Sequence, residues 1–145
     1  MPEKTTLKRA NRDKREGKAP STQAGEFVRE EMEHIRRGKH GARSTKQAIA
    51  IGLSKARRAG VDLKPPKKGR ASEKTRGAAE RDYQKGHSKA KKATSSRRSS
   101  ARLKALKREP RAAASHSALS RQAQSAASQR KRSGPATANT RRTAA

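Results

Sequence analysis

The chain has 145 residues, of which 40 are Lys or Arg and 12 are Asp or Glu, giving a net charge of +28. Hydrophobic residues make up 28%, well below the ~45–50% (Gly included) of a globular domain, so one core spanning the whole length is excluded. The absence of cysteine excludes disulfides and thiolate chemistry, and no apolar run approaches the ~18 residues of a membrane span.

Self-repulsion keeps such a chain open unless a polyanion neutralises it. The charge is uneven along the chain. Residues 1–20 carry seven basic and three acidic side chains, residues 21–66 ten and five, and residues 67–145 twenty-three and four, giving +4, +5 and +19. Three segments follow: a basic N-terminal arm (1–20), a helical hairpin (21–66) and a basic tail rich in Lys, Arg, Ala and Ser (67–145). The fold class expected is mainly α with extensive disorder.

Lys4 to Gly17 is charged on every face and has no apolar stripe to pack, so it reads as a mobile arm. Ser21 reads as the N-cap of a helix running to about Arg37. On a wheel of 100° per residue, Ala24, Phe27, Val28, Met32 and Ile35 share an arc of about 140°, with Glu31 as the charged exception. Gly38, preceded by Arg36 and Arg37, is the stop signal. Ser44 and Gln47 then have the spacing of a capping box. A second stripe follows: Ala48, Ile49, Gly52, Leu53, Ala56 and Ala59, with Ile51 outside it. Gly60 and Val61 suit a Schellman ending, and Pro65 and Pro66 bar continuation. Residues 21–63 therefore read as an αα-hairpin. Phe27, Val28, Met32, Ile35, Ile49 and Leu53 are few for an independent core, which points to a homodimer sharing one stripe between two copies.

In the tail, Ser100 to Arg108 and Pro110 to Arg130 have helix-compatible composition. The stripe of Leu119, Ala123, Ala126 and Ala127 is too thin for a core, so transient helices are expected, with Ser133 to Ala145 disordered. Clustered cations separated by small residues suit phosphate tracking without base reading. They are Lys67, Lys68, Arg70, Lys74, Arg76, Lys89, Lys91, Lys92, Arg97, Arg98, Arg102, Lys104, Lys107, Arg108, Arg130, Lys131 and Arg132. Single-strand binders add aromatic platforms for base stacking, and the only aromatics are Phe27 and Tyr83. Duplex or structured nucleic acid is the expected partner. A helix-turn-helix reading would use Lys46, Arg57 and Arg58 in a groove and Lys55 at its flank. The acidic first helix (Glu26, Glu30, Glu31, Glu33) opposes that, and a packing or dimerisation role is preferred.

Other signals are weak. Lys64-Pro65-Pro66-Lys67-Lys68-Gly69-Arg70 resembles a nuclear-import string, and such strings arise readily in so basic a chain. His34 and His40 flank the first turn with Glu33 nearby, but they stand six residues apart, not at the i,i+4 spacing of a helical ligand pair, so no metal and no cofactor are expected. No serine has a base and orienting acid in a pocket, and no enzyme activity is expected.

The run from Gly38 to Ser44, Gly-Lys-His-Gly-Ala-Arg-Ser, and the run from Lys46 to Gly60 resemble a family of small basic bacterial proteins. They share a domain of unknown function and are often loosely labelled DNA-binding. The resemblance covers about Ser21 to Gly69, with an echo around Ala105 to Ala123. It implies a bacterial cytosolic setting and brings no binding residues. The tail resembles bacterial histone-like tails in composition. The expectation is sequence-tolerant DNA binding by a cytoplasmic, nucleoid-associated protein, with no membrane partner. The alternatives are an RNA- or ribosome-associated protein, or an adaptor whose hairpin docks a protein.

Overall fold

A computed structural model describes residues 1–90 and 93–133. They form six α-helices: α1 (Lys4–Arg15), α2 (Pro20–Arg36), α3 (Thr45–Arg58), α4 (Glu73–His87), α5 (Ser96–Lys107) and α6 (His116–Arg132). A short 3-10 turn, Ala112–Ala114, precedes α6, and no strand occurs among the described residues.

The middle helices follow from local chemistry. Helix α2 begins one residue before the expected Ser21 cap, with Pro20 in its first turn, where the missing N–H would have had no partner anyway. It ends with Gly38 at φ +76°. There the Lys39 N–H reaches the His34 carbonyl (2.9 Å) and the Gly38 N–H the Ile35 carbonyl (3.1 Å), the paired bonds of a Schellman ending. Helix α3 starts on Ser44, whose Oγ accepts from the Gln47 N–H at 3.1 Å. The Gln47 side chain returns to the N–H of Arg43 instead of that of Ser44, so only half of the capping box forms. The α3 ending repeats the α2 pattern, with Val61 N–H on the Ala56 carbonyl and Gly60 N–H on the Arg57 carbonyl, both at 3.1 Å.

Two apolar clusters share the α2–α3 pair. One gathers Met32, Ile35, Ala42, Ala48, Ala113 and Ala114, flanked by Val28, Ile49 and Leu119. The other gathers Ala10, Ala24, Phe27, Ala56 and Val61, flanked by Leu7, Leu53 and Leu63. The α2 stripe is thus covered on one side by α1 and on the other by the 3-10 turn and α6. The stripe finds covering residues within the same chain.

Two further differences from the sequence reading have physical causes. Residues 4–15 form α1 and lie on α2, because Leu7 and Ala10 suffice to seat one face. Thr6 and Asp13 are buried with them. Within the stretch expected to be largely disordered, α4 forms on a Ser72 cap, whose Oγ accepts from the Thr75 N–H at 3.2 Å, and packs on α3. It is held there by polar contacts that carry no apolar signature: Asp82 accepts from Ser54 Oγ and from Arg58 Nε, each at 2.7 Å. Helices α5 and α6 fall near the two stretches expected to be helix-compatible, starting four residues before Ser100 and six after Pro110. The expectation for Ser133 to Ala145 lies outside the described residues from 134 onward.

Four long-range hydrogen bonds fix the 3-10 turn and its approach against the α2–α3 turn. The Gly41 N–H donates to the Leu106 carbonyl (2.9 Å) and the Ala42 N–H to the Pro110 carbonyl (3.0 Å). Arg36 Nε donates to the Ala114 carbonyl (2.9 Å) and Thr45 Oγ1 to the Ala113 carbonyl (2.7 Å).

Candidate nucleic-acid interface

Acidic residues decide where free cations remain. Eleven of the 12 lie at or before Asp82, and only Glu109 lies beyond it. In the first half the acids hold local cations. Arg9 pairs with Glu26 at 3.5 Å, Lys18 with Asp13 and Glu16 at 2.8 Å each, Lys39 with Glu3 at 3.1 Å and Arg58 with Asp82 at 2.7 Å. Hydrogen bonds from His34 and Lys39 pull the Glu3 carboxyl down to about 2. Hydrogen bonds to Asp13 and Glu16 raise the Lys18 ammonium, and Asp62, accepting from the Tyr83 hydroxyl at 2.6 Å, raises that phenol.

Beyond Asp82 the balance changes. Residues 83–145 hold 17 Lys and Arg against one acid, and among the described residues none of those cations is in an ion pair. Helix α5 is the plainest case. Arg97, Arg98, Arg102, Lys104 and Lys107 are all exposed, no residue of the helix is buried, and Leu103 is 44% exposed. Lys104 and Lys107 stand in its last turn, where the helix dipole favours cations. Arg108 follows, also exposed. Arg130, Lys131 and Arg132 crowd the exposed C-terminal end of α6.

The remaining candidate residues divide. Lys67, Lys68, Arg70, Lys74 and Lys89 are exposed. Arg70 Nη1 donates to Ser133 Oγ at 3.1 Å, which brings the segment after α3 beside the end of α6. Arg76 is half-buried and held by Glu73 at 2.7 Å. Lys91 and Lys92 lie outside the described residues. Of the groove candidates on α3, only Lys46 is exposed without an ion pair. Lys55 is tied to Glu31 and Glu30, and Arg58 to Asp82. Arg57 is buried, with its Nε donating to the Leu63 carbonyl at 3.0 Å. Burial pulls its guanidinium down, with Asp82 acting the other way. Three of the four α3 cations are therefore already held within the chain, two by carboxylates and one by a backbone carbonyl.

One grouping was not legible in the sequence. The turn after α2 folds His40 back so that Glu31, His34 and His40 bring one ligand atom each within 4.8 Å of one another. The six-residue spacing that argues against a histidine pair applies to a continuous helix. Here Gly38 reverses the chain between the two rings, which meet edge-on with centroids 6.0 Å apart.

No described helix is long and apolar enough to cross a membrane. The model of a family of unknown function, DUF6496, matches residues 5–69, which takes in nearly all of α1, all of α2 and α3, and the segment after them. The Glu31–His34–His40 grouping lies inside the matched part, and every residue beyond Asp82 lies outside it. No curated protein and no solved structure matches the chain.

Proposed function

We propose that the protein binds duplex DNA through phosphate contacts, tolerant of sequence, and serves as a nucleoid-associated or DNA-compacting protein. The observation that carries this reading is the set of 17 cations against one acid beyond Asp82, with none of the described cations committed to an internal carboxylate. A cation already paired must break that pair to reach a phosphate. An unpaired, exposed one exchanges only water and releases the counterion condensed on the duplex. Helix α5 and the end of α6 offer such cations on rigid elements, and the Ala and Ser between them let the backbone approach closely. Lys67, Lys68 and Arg70 extend the same surface, since Arg70 sits against Ser133.

Salt dependence is the test. If about ten phosphates are neutralised, log affinity against log salt falls with a slope near −9 on duplex DNA. Unrelated duplexes of equal length bind within a few fold of each other. A salt-independent affinity, or a hundredfold preference for one duplex sequence, would sink the backbone mechanism. A structured RNA of equal charge, run in parallel, decides between DNA and the ribosome-associated alternative: tighter RNA binding at matched salt moves the function there.

A further inference from the structure

In a chain of +28, one buried cluster has the opposite sign. Glu31 is 0% exposed, among the largest fully buried side chains with Phe27 and Ile35. Its Oε2 lies 3.1 Å from His40 Nε2 and its Oε1 3.9 Å from His34 Nδ1. The closer approach is not a hydrogen bond, for Glu31 Oε2 is buried without any hydrogen-bond partner.

The outer nitrogens fix where each ring carries its hydrogen. His40 Nδ1 is 2.9 Å from the Gly41 carbonyl, and His34 Nε2 is 3.0 Å from Glu3 Oε1. Carbonyl and carboxylate oxygens only accept, so each ring carries its hydrogen on the outer nitrogen. In a neutral ring the other nitrogen is then unprotonated and free to act as a ligand. Two imidazoles and a buried carboxylate thus offer one ligand atom each within 4.8 Å of one another, a donor set that suits a cation. An imidazole held by an oxygen at its far N–H is also how metal-ligating histidines are oriented.

The local charges agree. Glu3, Glu30 and Glu31 surround the rings. Lys39 lies 3.1 Å from Glu3, while Lys55 lies 3.7 Å from Glu30 and also contacts Glu31 Oε1. Three carboxylates against two ammonium groups leave one negative charge unbalanced.

We propose that Glu31, His34 and His40 bind one divalent transition-metal ion of the Zn²⁺ kind. Two imidazoles and a carboxylate suit zinc and its neighbours and do not suit the all-oxygen preferences of Ca²⁺ or Mg²⁺. With ligand bonds of ~2.1 Å, tetrahedral donors stand about 3.4 Å apart, so the widest separation in the cluster, within 4.8 Å, must close by up to about 1.4 Å. Lys55 holds Glu31 Oε1 and leaves Oε2 for the ion. Three protein ligands leave a fourth position for water. The ion joins the end of α2 to the turn before α3 and, through Glu3, to α1. It therefore stabilises the folded chain by mass action.

The test uses the full, metal-stripped chain, free of nucleic acid, titrated with Co²⁺ alone and then challenged with Zn²⁺. The expected result is one equivalent of Co²⁺ with visible absorption bands, displaced by Zn²⁺, and a rise in melting temperature. His34→Ala and His40→Ala should abolish the bands, and the double variant His87→Ala/His116→Ala should retain them. Glu3→Gln leaves every ligand in place and keeps the fold testable if a ligand variant misfolds. Loss of the Glu3 carboxylate behind His34 should weaken Zn²⁺ binding about 10–100-fold. Three results overturn the proposal: no stoichiometric Co²⁺ spectrum, binding that survives loss of both His34 and His40, or an affinity indifferent to Glu3→Gln.

Discussion

Gly52 shows how much a single atom decides at the residue scale. A Cβ built there would stand 2.6 Å from Val28 Cα and 2.9 Å from the Val28 nitrogen. Those are backbone atoms of α2, which cannot rotate aside. The missing side chain is what lets α3 lie against α2 and seat Ala48 and Ala56 in two separate clusters. Gly52→Ala should therefore cost about 1–3 kcal/mol, the usual penalty of overpacking, read as a lower urea midpoint with unchanged helicity. The sequence marks Gly52 as part of the stripe, yet a glycine on an apolar face does not reveal whether it touches backbone or side chain. Glu31 is legible there only as an exception. A charged residue inside an apolar arc is buried when a partner reaches it, and that partner, Lys55, arrives from beyond the turn. Arg57 misleads for a related reason: by sequence it is a cation free to reach a groove, and in the fold it is spent on the Leu63 carbonyl.

Among the elements, α2 and α3 are readable because each carries a stripe of 3.6-residue period with a start and a stop signal. Helix α1 is not, since two residues, Leu7 and Ala10, seat it and most of the rest is charge. Helix α4 escapes notice because the group that docks it, Asp82, is polar. A carboxylate bonded to Ser54 and Arg58 does in this interface what an apolar stripe does elsewhere. Helix α5 is the converse, an element with no buried residue at all. Its cations are free of internal duties, which separates the proposed binding from stability. Changing Arg97, Arg98, Arg102, Lys104 and Lys107 together to Gln should leave the melting temperature unchanged. The salt slope of DNA binding should flatten by as much as about 4.5, at ~0.9 for each phosphate no longer neutralised. An unchanged slope would transfer the binding to α6 and the segment after α3.

The whole molecule differs from the expected hairpin with a free tail, because its later part returns to its beginning. The 3-10 turn and Leu119 of α6 close a core that begins with Met32 and Ile35. Composition hides this closure, since alanines spaced along a basic stretch read as filler. Ala113 and Ala114 are nonetheless buried, the latter at 0% exposure. The candidate interface is legible as charge and illegible as place. Counting Lys and Arg finds the cations, but only the fold shows which ones are already held by carboxylates. The closure also bears on what happens when the chain is severed. Lys89 is exposed and belongs to the link between α4 and α5. A cut there leaves one piece with α1 to α4 and another with α5, the 3-10 turn and α6. The pieces still share an apolar cluster and the hydrogen bonds from Gly41, Ala42, Arg36 and Thr45. Limited tryptic nicking should thus yield two fragments that elute as one species from a sizing column in high salt, and that part only in denaturant. Separate elution would mean that the late segment merely rests on the early one. Co-elution would make the protein a natural pair of complementing halves, each supplying what the other cannot bury alone.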